Sequence, residues 1–251
     1  MTHVTAASRS PARLMATLPA DFEATRTSLH AVAAHVLGRR RFDVSGRFGL
    51  RATPGGFGTP AFGDGPETVR VAHGSLVRET AGEAAYLAIT RSSLRGLAEF
   101  AGTDIDRDFS VGADTPAVGD PDALLAVGPA SAALVAEWFA LGWRALDEVV
   151  GSMGAGAAPA TIQLWPEHFD AGTNVGLATG SRVNLGASPG DAFSVQPYLY
   201  VAPRGPERPG DPDFWNAPFG AVLRWRDVVD QPDPVGRAVA FLGTGLHVLQ
   251  A

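Results

Sequence analysis

The chain has 251 residues and a net charge of −6, and it contains neither lysine nor cysteine, so all 20 basic residues are arginine. These absences exclude a lysine Schiff base, a P-loop lysine, a thiol nucleophile, disulfides, thiolate zinc sites and iron–sulfur ligation, while the acidic balance argues against nucleic-acid binding. Hydrophobic residues make up 45% and charged residues 18%, the balance of a soluble globular protein with enough chain to build a core unaided.

Residues 1–20 carry no sustained periodicity and read as a tail, without the apolar stretch of a secretory signal, so the cytoplasm is the expected compartment. Asp21 is placed to cap a helix whose apolar stripe, Phe22, Leu29, Val32, Ala33 and Val36, ends at Gly38. His30 and His35 fall off that stripe on opposite flanks, which predicts surface positions and excludes a shared metal site. The Arg39–Arg41 run suits the carbonyl-rich end of that helix.

From Arg47 the pattern changes to short strands separated by Gly/Pro turns. Ser92 or Ser93 then starts a short helix carrying Leu94, Leu97, Ala98 and Ala101. Residues 102–122 form an acidic loop. A helix follows Pro129, with Val135, Phe139, Gly142, Leu146 and Val149 inward and Glu137, Arg144 and Glu148 outward. The Gly/Ala/Pro stretch 151–159 reads as a linker into a second strand block. Asp233 caps a terminal helix with Pro234 in its first turn and a stripe of Val235, Val239, Leu242, Leu246 and Leu249, which Gly243 and Gly245 weaken by about 1 kcal/mol each.

Strands arrive in clusters without regular strand–helix alternation. The expected fold is therefore α+β: an antiparallel sheet from two strand blocks covered by three or four helices, one domain over 21–251. Leu50-Arg-Ala-Thr-Pro-Gly and Leu185-Gly-Ala-Ser-Pro-Gly stand at comparable places in the two blocks, which raises a diverged internal duplication.

Several motifs match on paper only. Gly186-Ala-Ser188-Pro-Gly190 has the spacing of a serine-hydrolase elbow with His247 downstream, but Pro189 has no N–H to offer an oxyanion and a strand, not a helix, follows. Gly56-Phe-Gly58-Thr-Pro-Ala61 imitates a dinucleotide fingerprint, yet Pro60, Gly63, Gly65 and Pro66 forbid the helix it needs, leaving turns. Asp104, Asp106 and Asp108 alternate like a calcium loop, but Phe109 stands where glycine is required and Thr115 where the closing glutamate belongs.

Gln163-Leu-Trp-Pro-Glu-His-Phe-Asp170 is the segment richest in chemistry. As one strand it puts Ile162, Leu164, His168 and Asp170 on one face and Trp165, Glu167 and Phe169 on the other, unless Pro166 bulges it and exchanges the faces. His168 and Asp170 are the catalytic candidates, an aspartate orienting a histidine base. A metal site would need a further histidine, which the chain does not place nearby, so neither metal nor cofactor is expected. Around this pair, Trp165, Glu167, Asn184, Tyr198, Tyr200, Trp215 and Asn216 supply aromatic bodies with polar tips, the materials of a small-molecule pocket.

The strings LRATPGGFGTP, QLWPEHFD, ASPGD, PYLYVAP and FWNAPFGA together resemble a family of uncharacterised bacterial proteins, over a span from about Leu29 to the C-terminus. The resemblance implies a domain spanning the chain and carries over no catalytic residue.

Two functions of different class fit these residues. One is a small-molecule-binding protein or enzyme with its pocket in the 163–216 block. The other is a non-catalytic protein that self-associates, as a homodimer, through its aromatic β block. Neither nucleic acid nor membrane is expected as a partner. Convergence of His168, Asp170, Asn184 and a tyrosine on one concavity favours the first, and a flat exposed aromatic face the second.

Overall fold

The computed structural model of the protein describes residues 17–250. Two antiparallel five-stranded meanders form its sheets. The first runs in chain order through β1 (Arg51–Thr53), β2 (Gly56–Gly58), β3 (Glu67–Ala72), β4 (Ser75–Thr80) and β5 (Glu83–Ala88). The second comprises β6 (Gln163–Trp165), β7 (Asp170–Gly176), β8 (Arg182–Ser188), β9 (Tyr198–Pro203) and β10 (Ala221–Arg224). Leu50, just before β1, and Leu164 in β6 exchange backbone hydrogen bonds at 2.8 Å, so the two sheets meet at their margins. With the helices below, this is the α+β architecture expected from the clustering of strands. The stretch 151–159 connects helix to strand inside this single arrangement, with a 3₁₀ turn at Ala155–Ala157.

The helices are α1 (Phe22–Val32), α2 (Arg39–Ser45), α3 (Leu94–Ala101), α4 (Pro129–Gly151), α5 (Trp225–Val229) and α6 (Pro234–Gln250). No described helix is long and apolar enough to cross a membrane. The central element is α4, which packs on β1, β2, β7 and β8 and against α1 and α6. Val135, Phe139, Leu146 and Val149 are buried as expected, but so are Leu134, Trp138 and Ala145 on other faces. A helix covered on several sides shows no clean amphipathic stripe. Gly142 lets α4 touch β8, since a Cβ there would overlap the Ala187 methyl. Glu137, expected outward, is half-buried.

The first helix does not end at Gly38. It passes through a π-helical stretch, Ala33–Gly38, into α2 and stops at Gly46 in the left-handed region. His35 is buried, its Nε2 2.6 Å from the Pro116 carbonyl, and His30 is half-buried rather than at the surface. The arginine run therefore lies inside a helix, and each arginine ties down a different segment: Arg39 to Asp43 and Asp106, Arg40 to Glu67 and the Gly102 carbonyl, Arg41 to the Gly49 carbonyl. Asp21 does not cap its own helix by its side chain. It accepts from Ser131 Oγ at 2.5 Å beside the N-terminus of α4, where its charge suits the helix dipole.

Elsewhere, local patterns held. Ser93 Oγ accepts from the Gly96 amide, Asp233 accepts from Gly236, and Leu94, Leu97, Ala98 and Ala101 are buried. Gly245 does more than weaken α6: its missing side chain admits Val201, which a Cβ would approach to 2.7 Å. Gly56-Phe-Gly58 is strand β2 rather than a turn, with Phe57 buried against Phe139 and Phe169. The Leu50 segment opens the first sheet, whereas the Leu185 segment closes the third strand of the second, so the two repeats occupy different places. Of the expected tail, residues 1–16 lie outside the described residues, while Leu18 already packs on the core.

Candidate functional site

The segment Gln163–Asp170 is a hairpin, not one strand. β6 ends at Trp165, residues 166–169 turn, and Asp170 opens β7 directly opposite Trp165. His168 and Asp170 therefore do not share a face with Ile162 and Leu164. Phe169 points into the core, at 1% exposure, while His168 is half-exposed in the turn.

This turn is held in an unfavourable backbone conformation by its surroundings. Phe169 has φ of 53°, a left-handed value that costs a bulky residue of order 1–3 kcal/mol and persists only where contacts over-determine it. Those contacts are visible. The Phe169 ring stacks on His30 at 5.3 Å and meets Phe57 and Phe139 edge-on at 5.1 Å each. His30 Nε2 lies 2.9 Å from the Glu167 carbonyl and 3.1 Å from that of Pro166, so it donates to the turn. Burial lowers the His30 pKa against those two hydrogen bonds. Pro166 itself packs beside Gly38 in the π-helical stretch.

The result is a rigid presentation of Glu167 and His168 toward the acidic loop. His168 Nδ1 lies 3.0 Å from Asp114 Oδ2, and its Nε2 lies 3.7 Å from Glu167 Oε1. A carboxylate can only accept, so Nδ1 carries a proton and donates to Asp114. The aspartate orienting His168 is thus Asp114, not Asp170. Asp114, Glu167 and His168 each offer a ligand atom within 4.8 Å of the others, the set among the described residues that could hold a divalent cation.

Asp170 lies at the base of the turn, 7% exposed. Tyr200 Oη donates to its Oδ2 at 2.5 Å, and its Oδ1 has no partner. The register explains the reach. Tyr200 on β9 stands opposite Gly186 on β8, which stands opposite Gly172 on β7. A Cβ on Gly186 would overlap the Tyr200 ring, and one on Gly172 would lie 3.1 Å from its hydroxyl. The two glycines form a bed across which the phenol crosses the sheet to Asp170. Burial raises the Asp170 carboxyl above its ordinary value despite the hydrogen bond from Tyr200. Burial, then the charge of and hydrogen bond to Asp170, drive the Tyr200 phenol well up. Tyr198 donates to Asp191 Oδ2 at 2.5 Å and is likewise raised, by burial first and then by Asp191. Phe219 leans on both tyrosines at 6.4 and 6.5 Å, and Phe193 packs on Phe219 at 5.0 Å.

Of the residues picked from the sequence, Glu167, His168, Asp170, Tyr198 and Tyr200 cluster here, and Trp165 stands across from Asp170. Asn184 does not join them. It sits four residues along β8 from Ser188, roughly 13 Å at strand rise, and accepts from Asn174 at 2.5 Å. Trp215 donates to the Pro209 carbonyl beneath Arg208, and Asn216 brackets the backbone of Val222. Both build the loop that carries Phe219 rather than meeting Asp170. Ser188 ends β8 at a Pro189–Gly190 turn with no helix behind it, its Oγ accepting from the Gly190 amide, while His247 is exposed on α6. Reasoning on sequence missed Asp114, Asp191, His30 and Phe219. Asp191 had a signal in its position between Ser188 and Tyr198, but Asp114 had none. Comparison with family models, curated proteins and solved structures finds no match to this chain.

Proposed function

We propose that the protein binds a small organic molecule against the Trp165–Asp170 turn and acts on it by proton transfer. The observation that carries this reading is Asp170 Oδ1, a buried carboxyl oxygen left without a partner inside an otherwise satisfied network. Such an oxygen costs about 1–3 kcal/mol, and a donor on a bound ligand would remove that cost. His168 is the base: Asp114 fixes its tautomer, Nε2 takes the proton, and Glu167 stabilises the imidazolium. Asp170, its carboxyl raised by burial, presents Oδ1 to a hydroxyl or amide donor of the ligand, and Tyr200 orients it. The cover of Phe193 and Phe219 over the tyrosines favours this reading over self-association through a flat aromatic face.

A thermal-shift screen of small carboxylic acids, alcohols and amides tests the proposal, since a ligand of the native state raises the melting temperature. The expected hits stabilise the wild type and lose their effect in both H168A and D170N, each variant still melting cooperatively. Hits that survive both substitutions would overturn it.

A further inference from the structure

We propose a second ligand site, independent of the Trp165–Asp170 turn: a cavity of about 320 Å³ between α4 and the first sheet takes a small organic cation, held by the Glu137 carboxylate. One wall is a single stripe of α4, where Ala132, Ala133, Ala136 and Ala140 surround Glu137 at helical spacing. The facing wall is the Gly55–Gly56 turn, Phe57, Val71 and the tip of the β3–β4 hairpin. Small residues on both walls prevent the usual interdigitation of side chains, and the space that remains is the cavity. Its volume lies at the lower end of the range used for small-molecule sites, so the occupant is small.

The lining sets the sign of the ligand. Glu137 is half-buried, and among the described residues it makes neither a hydrogen bond nor an ion pair. Among the described residues no arginine lines the cavity, and the chain has no lysine, so a bound cation would supply the counter-charge this carboxylate lacks there. Burial alone raises the Glu137 carboxyl, which agrees with the absence of a cationic neighbour. Phe57, buried against Phe139 and Phe169, closes the cavity on the side of the core.

His73 completes the rim. It occupies the hairpin tip at φ of 50°, and its amide donates to the Gly55 carbonyl at 3.1 Å. Its ring lies where a Cβ on Gly55 would be, so that glycine fixes where the imidazole stands. The imidazole thereby brings a ring nitrogen to the cavity rim beside Gly55.

The test uses the full chain at pH 8 with n-butylammonium as the probe and n-butanol and n-butyrate as its neutral and anionic counterparts, by calorimetry or ligand-observed NMR. The expected result is millimolar binding of butylammonium, at least about tenfold weaker binding of butanol and none of butyrate. E137Q should remove that preference. A133F, on the open wall, should block the cavity with little change in melting temperature. H168A and D170N should leave butylammonium binding unchanged, which separates this site from the one at the turn. Equal binding of butanol and butylammonium, unchanged binding in E137Q, or no binding of butylammonium to the wild type at ~20 mM would each overturn the proposal.

Discussion

Burial holds the Asp170 carboxyl above the ordinary aspartate value, against the Tyr200 hydrogen bond. The sign of the resulting pH dependence follows from linkage. In the unfolded chain Asp170 titrates near ~3.9, whereas the folded state keeps its proton to higher pH, so between the two values folding takes up a proton. Stability from this residue therefore falls as pH rises through that window, and the deficit persists above it. D170N cannot ionise and escapes the deficit. Its melting temperature relative to wild type is expected to climb from about pH 4 upward and then level off. A wild type that gained on D170N with rising pH would contradict this. Phe169 tells the same story in backbone terms. A left-handed phenylalanine among three aromatic rings is a local cost that holds Glu167 and His168 in place.

Among the elements, the helix that runs from α1 into α2 depends on partners far along the chain. Arg40 and Arg78 both bond the buried Glu67 carboxylate, at 2.8–3.3 Å, which ties α2 to β3 and β4. Burial alone would raise Glu67, but the two guanidiniums outweigh it and hold the carboxyl below the usual range. E67Q removes the charge both arginines face. The expected cost is about 2–3 kcal/mol, somewhat below that of a fully buried pair because both guanidiniums reach solvent, read from the urea midpoint. With its pKa depressed, Glu67 contributes stability above the ordinary glutamate value and loses it as pH falls through the lower folded value. The E67Q deficit should shrink in acid, opposite in direction to the Asp170 effect. A deficit independent of pH would show that packing, not charge, sets the cost.

At the scale of the whole molecule, α4 unites the two meanders. Their direct hydrogen-bonded link is the Leu50–Leu164 pair, whereas α4 packs on β1 and β2 of one sheet and β7 and β8 of the other. Core residues from both sheets belong to one continuous cluster around Val135, Trp138 and Phe139. α6 adds cover over β9 and β10, but α4 is the helix that packs on both sheets. Urea unfolding is therefore expected to be a single transition, with tryptophan fluorescence, weighted to Trp138 and Trp225, coinciding with far-UV circular dichroism. A fluorescence midpoint clearly separated from the dichroism midpoint would show that the sheets unfold as independent units.

By itself the sequence determined what depends on near neighbours: the capped starts at Ser93 and Asp233, the inward stripes of α3 and α6, the strand clusters that make the fold α+β, and the failure of the Ser188 elbow. It also singled out Glu167, His168, Asp170, Tyr198 and Tyr200, because polar groups alternating with apolar ones must find partners. Only the tertiary structure decided which partners. Asp114 rather than Asp170 orients His168, His30 reaches the Glu167 carbonyl from a helix far upstream, and Asn184 and Trp215 serve their own loops. The physical reason is range. Helical and strand periodicity orders side chains over a few residues, whereas a left-handed turn at Phe169 and a phenol lying across two glycines are set by contacts between segments that meet only in the folded chain.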